Sequence, residues 1–141
     1  MQGWEIEARE ELRELLASYY KLGDSGRIEE QAALFEPDGV VELHGRGEFV
    51  GREAIVTAYR TLNEGHVADP AVTYIRHFSS NYSLEFDDRS TARGDGYWLL
   101  VNNRGLAGWG RCRDWYRRSD DGPWRFARRL VRGDPPAGPN P

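Results

Sequence analysis

Three histidines, His44, His66 and His77, are the side chains of this sequence whose charge changes near neutral pH, because imidazole titrates around 6.5. They are scattered along the chain without the close spacing that a zinc site uses, so no metal is expected. Cys112 is the only cysteine, which excludes an intramolecular disulfide and a zinc centre built on thiolates. Ser79 and Ser80 lack the glycine-framed strand-to-helix elbow that presents a nucleophilic serine. Histidine suits acid–base work, because both of its forms are accessible near neutrality. The plainer reading of His77 is a strand histidine bonded to a neighbour. For Asp24, in a turn with Gly23, Ser25 and Gly26, it is a cap for a following helix.

The elements that must position these groups follow from periodicity. Leu12, Leu15, Leu16 and Tyr19 recur at helical spacing behind an acidic start, which predicts a first helix. After the turn at Asp24, Ile28, Ala32 and Phe35 predict a short second helix ended by Pro37-Asp38-Gly39. GVVELHG alternates and EFVG returns after Gly45 and Gly47, predicting a strand pair. Residues 53–62 predict a third helix that buries Ile55, Ala58, Tyr59 and Leu62. Four extended stretches follow, 71–86, 91–102, 106–118 and 123–132, separated by turn signals. Helices first and strands after imply an α+β domain with helices on one face of a bent antiparallel sheet. The first stretch breaks its own alternation, because Thr73, Ile75 and His77 share a parity that Leu84 and Phe86 do not. One extra residue near Ser79-Ser80 reconciles the two sets. Residues 1–133 read as one domain and 134–141 as a flexible Pro/Gly-rich tail.

Several motifs occur in a telling order. Tyr19 precedes Asp24 by five residues at the end of the helical hairpin, and Phe49-Val50-Gly51-Arg52-Glu53-Ala54-Ile55 closes the strand pair. His77 and Asn81 share one strand, and Asp121-Gly122-Pro123-Trp124-Arg125-Phe126 opens the last. Together they resemble the SnoaL-like branch of the nuclear transport factor 2 superfamily over about residues 8–132. The resemblance implies a cone: a curved, mixed but mostly antiparallel sheet and three helices from the N-terminal half, enclosing one small-molecule pocket. His77 and Asp24 resemble the dyad of the scytalone dehydratase and hexachlorocyclohexane dehydrochlorinase subgroup, in which the histidine removes a proton from carbon. Tyr19 resembles the tyrosine that donates to a substrate oxygen in steroid isomerases and bile-acid dehydratases. Asp114 occupies the place of the protonated aspartate of the steroid isomerases' oxyanion hole. On this reading Asn81 supports the His77 strand, Phe78, Tyr97 and Trp98 line the pocket, and Tyr20 and Tyr59 are plain core.

The same resemblance carries exclusions. Leu43 stands where steroid isomerases keep their general-base aspartate and cannot take a proton, so isomerisation by that route is not expected; Glu42 and His44 beside it should point to the opposite side of the strand. Asp24 or Asp114 with Arg128 offers a looser likeness to limonene epoxide hydrolases. The leading expectation is an enzyme without cofactor that performs elimination, dehydration or isomerisation on a small apolar or polyketide-like molecule. The alternative is a non-catalytic binding or dimerisation module of the same fold. An enzyme requires His77 and Asp24 at hydrogen-bond distance inside an apolar cavity. A module would leave them in solvent or in a salt bridge.

Trp109, Arg111, Arg113 and Trp115 alternate along one face of the third extended stretch, opposite Cys112, Asp114 and Tyr116, and predict a homodimer surface. The formal charge of −4, with Lys21 the only lysine, does not supply a continuous basic face for nucleic acid. There is no apolar run of about eighteen residues for a membrane span and no signal-peptide pattern, so a cytoplasmic home is expected.

Overall fold

The computed structural model describes residues 1–135, so the tail expected at 134–141 lies outside the described residues apart from Asp134 and Pro135. Helix α1 (Gly3–Asp24) buries Ala8, Leu12, Leu16, Tyr19 and Tyr20, the stripe that helical spacing dictates. Helix α2 (Ile28–Ala32) is one residue more than a turn and buries Ile28, Gln31 and Ala32. Phe35, expected in that helix, instead opens strand β1 (Phe35–Leu43). Pro37 and Gly39 do not end a helix there; they lie where β1 breaks register against its neighbour, between Phe35 and Val40. A proline without an N–H is tolerated in such a break. Gly39 is also required by space, since a Cβ there would stand 2.9 Å from the Glu36 carbonyl oxygen.

Strand β2 (Gly47–Val50) pairs antiparallel with β1. Helix α3 (Arg52–His66) runs four residues beyond the expected 62, which carries Asn63 and His66 to the end of the fold where the pocket opens. Arg52, from the motif that closes the strand pair, donates from Nε and Nη2 to the Phe35 carbonyl at 2.9 and 2.7 Å, tying the start of α3 to the start of β1.

Strands β3 (Ile75–Phe86), β4 (Thr91–Asn102), β5 (Gly105–Arg117) and β6 (Arg125–Gly133) form the meander. The six-stranded sheet has the order β2-β1-β6-β5-β4-β3, in which only β1 and β6 run parallel. It is the mixed, mostly antiparallel α+β architecture that the sequence implies. The extra residue expected near Ser79-Ser80 falls between Ser80 and Ser83, with Asn81 in the left-handed region at φ 52°. Asparagine tolerates that conformation better than most residues, which accounts for Asn81 at the bulge. Among the described residues no helix is long and apolar enough to cross a membrane.

Under the helices, the concave face of the sheet carries a buried ion pair. Arg129 Nη1 donates to Asp114 Oδ1 and Oδ2 at 3.1 and 3.0 Å, and the two side chains are 1% and 0% exposed. Arg129 Nη2 donates to the Tyr20 hydroxyl at 2.5 Å, and the guanidinium carbon lies 4.4 Å from the centre of the Tyr19 ring. Tyr82 donates to Asp114 Oδ2 at 2.5 Å and also meets the Tyr116 hydroxyl. Tyr82 reaches this place because β4 offers glycine opposite it: a Cβ on Gly96 would stand 2.7 Å from its ring. Burial pushes the Asp114 carboxyl up, against the pull of Arg129 and the two tyrosines. Arg129, with Asp114 against it, stays cationic.

A buried charge stripped of its partner is far costlier than the intact pair is stabilising. Asp114→Asn should therefore lower unfolding free energy by about 3 kcal/mol or more, measured by urea denaturation. Replacing both partners together, Asp114→Leu with Arg129→Met, should recover much of that loss. A small effect of Asp114→Asn alone would show that the pair does not carry this weight.

Candidate functional site

A cavity of about 200 Å³ opens between α1, α3 and the concave face of the sheet. Arg129, Tyr19 and Tyr59 are buried at its inner end, and Leu43, Ile75, Leu62 and Val131 supply apolar wall. His77, Tyr20 and Trp98 line one side. His44 and Arg46, exposed in the β1–β2 turn, stand at the mouth with His66 and Asn63 of α3.

The structure brings His77 and Asp24 together. Asp24 is the last residue of α1, and both of its oxygens go to His77: Oδ1 lies 2.6 Å from ring Nδ1, and Oδ2 accepts the backbone N–H at 2.9 Å. A carboxylate accepts there, so the hydrogen between the two groups belongs to Nδ1, and Nε2 is left free of Asp24. Asp24 is no cap. The residue before α2 is Arg27, and no side chain caps that helix. The imidazole stacks on Tyr20, ring centres 5.4 Å apart at 22°, with Trp98 at 6.3 Å and His66 at 6.0 Å.

Tyr19 lines the cavity, but its hydroxyl donates to that of Tyr59 at 2.6 Å. Burial raises the pKa of both phenols, with Arg129 opposing it weakly, so both hydroxyls keep their protons. Tyr59, once its oxygen has accepted from Tyr19, has its own hydrogen to offer to a ligand. Leu43 and Trp98 also line the cavity.

Other expected residues lie elsewhere, for reasons of strand parity. Phe78 and Tyr97 are 57% and 53% exposed on the convex face, because neighbours of the inward His77 and Trp98 must point outward. Asn81 is exposed at the bulge. Arg128 also faces outward, holding Glu42 and Glu48. Its neighbour Arg129 turns inward because β6 has an extra residue, Ala127, opposite the step from Trp115 to Tyr116. Without that bulge Arg128 would share the buried side of Trp124 and Phe126. Asp114 does face inward, but it does not line the cavity; it lies behind Arg129 and is covered by Tyr82 and Tyr116. Its contact with a substrate oxygen is replaced by a hold on Arg129. His44 does not keep to the far side with Glu42, since the strand ends at Leu43 and the turn brings it back over the mouth.

Arg129, Tyr59, Tyr20 and His66 are the site residues that sequence reasoning missed. The tyrosines are core and pocket at once, and helical spacing cannot separate the two. The histidines, scattered in sequence, converge here, because α3 continues through Gly65 and the β1–β2 turn folds over the opening.

The SnoaL-like domain family matches residues 4–130. A Catenulispora acidiphila protein solved in complex with S-DNPA is 33% identical, with 91% of this chain and 94% of that one covered, at a TM-score of 0.73. An NTF2-like protein with a cystatin-like fold from Novosphingobium aromaticivorans is 28% identical over 89% of this chain and 81% of that one, at a TM-score of 0.77. LinA, at 22% identity over 97% and 95% of the two chains and a TM-score of 0.77, shares the fold. No curated protein matches the sequence.

His66 supplies a pH signature of the site. Burial, with His77 and Arg46 nearby, lowers its pKa to about 4, and Asp24 opposes this. An unfolded histidine titrates near 6.5, so unfolding takes up a proton below that pH. The contribution of neutral His66 to stability is thus complete above about pH 6.5 and is lost as pH falls towards 4. NMR titration should place the His66 ring midpoint near 4, and His66→Gln should flatten the fall in denaturation midpoint across that window. A ring midpoint at or above 6.5 would refute this.

Proposed function

The chain belongs to the SnoaL-like family, and from that premise we propose that it is a proton-transfer enzyme, a lyase or isomerase acting on a small apolar or polyketide-like molecule without a cofactor. The observation that carries the reading is the two-point seat of His77 on Asp24 at the wall of a largely apolar cavity. Nε2 of His77 takes a proton from a carbon next to a substrate carbonyl, and the C–H electron pair moves into that carbonyl. The imidazolium formed is stabilised by Asp24, whose charge lies against Nδ1–H. Negative charge gathering on the substrate oxygen meets the Tyr59 hydroxyl and the fixed cation of Arg129, donors that need little rearrangement. In an elimination the electron pair expels a β-hydroxyl, and the imidazolium returns the proton to it as water leaves. In an isomerisation the same proton returns to another carbon. Acid–base steps alone complete both routes.

The test is a panel of small β-hydroxy ketones, aromatic and aliphatic, followed by the absorbance of the enone product. His77→Ala should lower kcat by about 10²–10⁴ on any substrate turned over. Asp24→Asn should cost less, because it keeps the shape and loses only the charge. Unchanged turnover in His77→Ala would refute the assignment. Ligands that bind across the panel without turnover would instead favour the binding-module reading.

We further propose that the convex sheet face joins two copies of the chain. Trp109 and Trp115 are half-buried there beside exposed Tyr97 and Leu99, and Leu106 is 58% exposed. Arg113 and Arg111 flank them, and the whole makes the aromatic and arginine composition that interfaces favour. Light scattering at micromolar concentration should give twice the chain mass, and Trp115→Glu should halve it. A wild-type monomer at that concentration would remove the idea.

A further inference from the structure

Arg46 places a cation at the mouth of the cavity. Gly45 and Gly47, both at positive φ (83° and 111°), let the β1–β2 turn fold tightly, and Arg46 closes it by donating its backbone N–H to the Leu43 carbonyl at 2.8 Å. Its exposed side chain reaches the cavity. The acids of the same hairpin are already engaged: Glu42 and Glu48 hold Arg128 on the other face, and Glu36 and Asp38 lie 3.7 Å from Arg117. Deeper in, Arg129 is matched by Asp114, and both oxygens of Asp24 are bound by His77. Among the described residues Arg46 has no carboxylate partner at salt-bridge distance. His44 beside it and His66 and Asn63 opposite add polar hydrogen-bonding groups around the same opening.

We propose that this mouth is a subsite for a carboxylate on the ligand, ion-paired to Arg46 and hydrogen-bonded by His66. The body of the ligand would lie against Leu43, Ile75 and Trp98. The inference rests on the reading of the cavity as a small-molecule site and narrows its substrate class to amphipathic acids. A single guanidinium matches one negative charge, which favours a carboxylate over a doubly charged phosphomonoester. The depressed basicity of His66 fits the same place, since a neutral imidazole can donate to a carboxylate without adding repulsion against His77 when that residue becomes protonated. The room is adequate, because a cavity of about 150 Å³ already accepts benzene.

Calorimetric titration of the intact protein with naphthoate, naphthamide and naphthyl phosphate at low salt tests the subsite. Naphthoate should bind about tenfold more tightly than naphthamide, in line with a charge-assisted pair partly shielded from water. Arg46→Gln, an exposed turn change whose folding circular dichroism verifies, should abolish that preference. His66→Gln should reduce the preference in part. Equal affinities, binding of neither compound, or a preference that survives Arg46→Gln would overturn the proposal. Tighter binding of naphthyl phosphate than of naphthoate would overturn the assignment to a carboxylate. The measurement reads binding alone, so its failure leaves the role of His77 standing, and a loss of the His77 role leaves the binding comparison intact.

Discussion

The ion pair of Arg129 with Asp114 is the constraint around which the inner end of this fold is arranged. A guanidinium and a carboxylate taken fully out of water require mutual contact and further hydrogen bonds to offset their desolvation. Here the offset comes from four elements. Tyr20 of α1, Tyr82 of β3 and Tyr116 of β5 supply hydroxyls, while Phe126 on β6 lies with Tyr19 against the guanidinium face. The glycines of β4 give way so that Tyr82 can reach. Helix and sheet are thereby held together by a polar network as well as by apolar packing, and the charge that lines the pocket is held in place before any ligand arrives.

Two bulges translate that network into a site. The extra residue at Ala127 turns Arg129, not Arg128, to the inside, and the one at Asn81–Tyr82 lets His77 face the pocket while Leu84 and Tyr82 still serve the core. A regular strand could not satisfy both halves, because its side chains alternate strictly. The bulges therefore separate two jobs along single strands, with a packed core at one end and a lined cavity at the other.

This explains which parts of the molecule were legible in the sequence. The order of elements and the β3 bulge are readable: helical spacing marks α1, turn residues mark the meander, and the parity conflict between His77 and Leu84 marks the irregularity. The β6 bulge was not. RFARRLVR contains no glycine, proline or asparagine to announce an extra residue, so the choice between two adjacent arginines depended on pairing with β5. Aromatic character alone points Phe78 and Tyr97 to the pocket, although each adjoins a residue that faces in. Alternation was the stronger evidence. The last turn of α3 is not legible in the same way, because its apolar stripe fades after Leu62 and the residues it brings to the mouth, Asn63 and His66, are polar.

The placement of Asp24 runs against the helix that it ends. A helix of 22 residues presents partial negative charge at its C-terminal end, where a carboxylate is disfavoured by about 0.3–1 kcal/mol at exposed sites. Lys21 in the same turn is exposed and does not pair with it. A residue chosen to end the helix would be glycine or a cation. What offsets the cost is the two-point contact with His77, whose ring Nδ1 and backbone N–H both face the carboxylate. The carboxylate thus ties the strand that bears His77 to the end of α1 through ring and backbone together, and so fixes the orientation of the imidazole at the cavity wall.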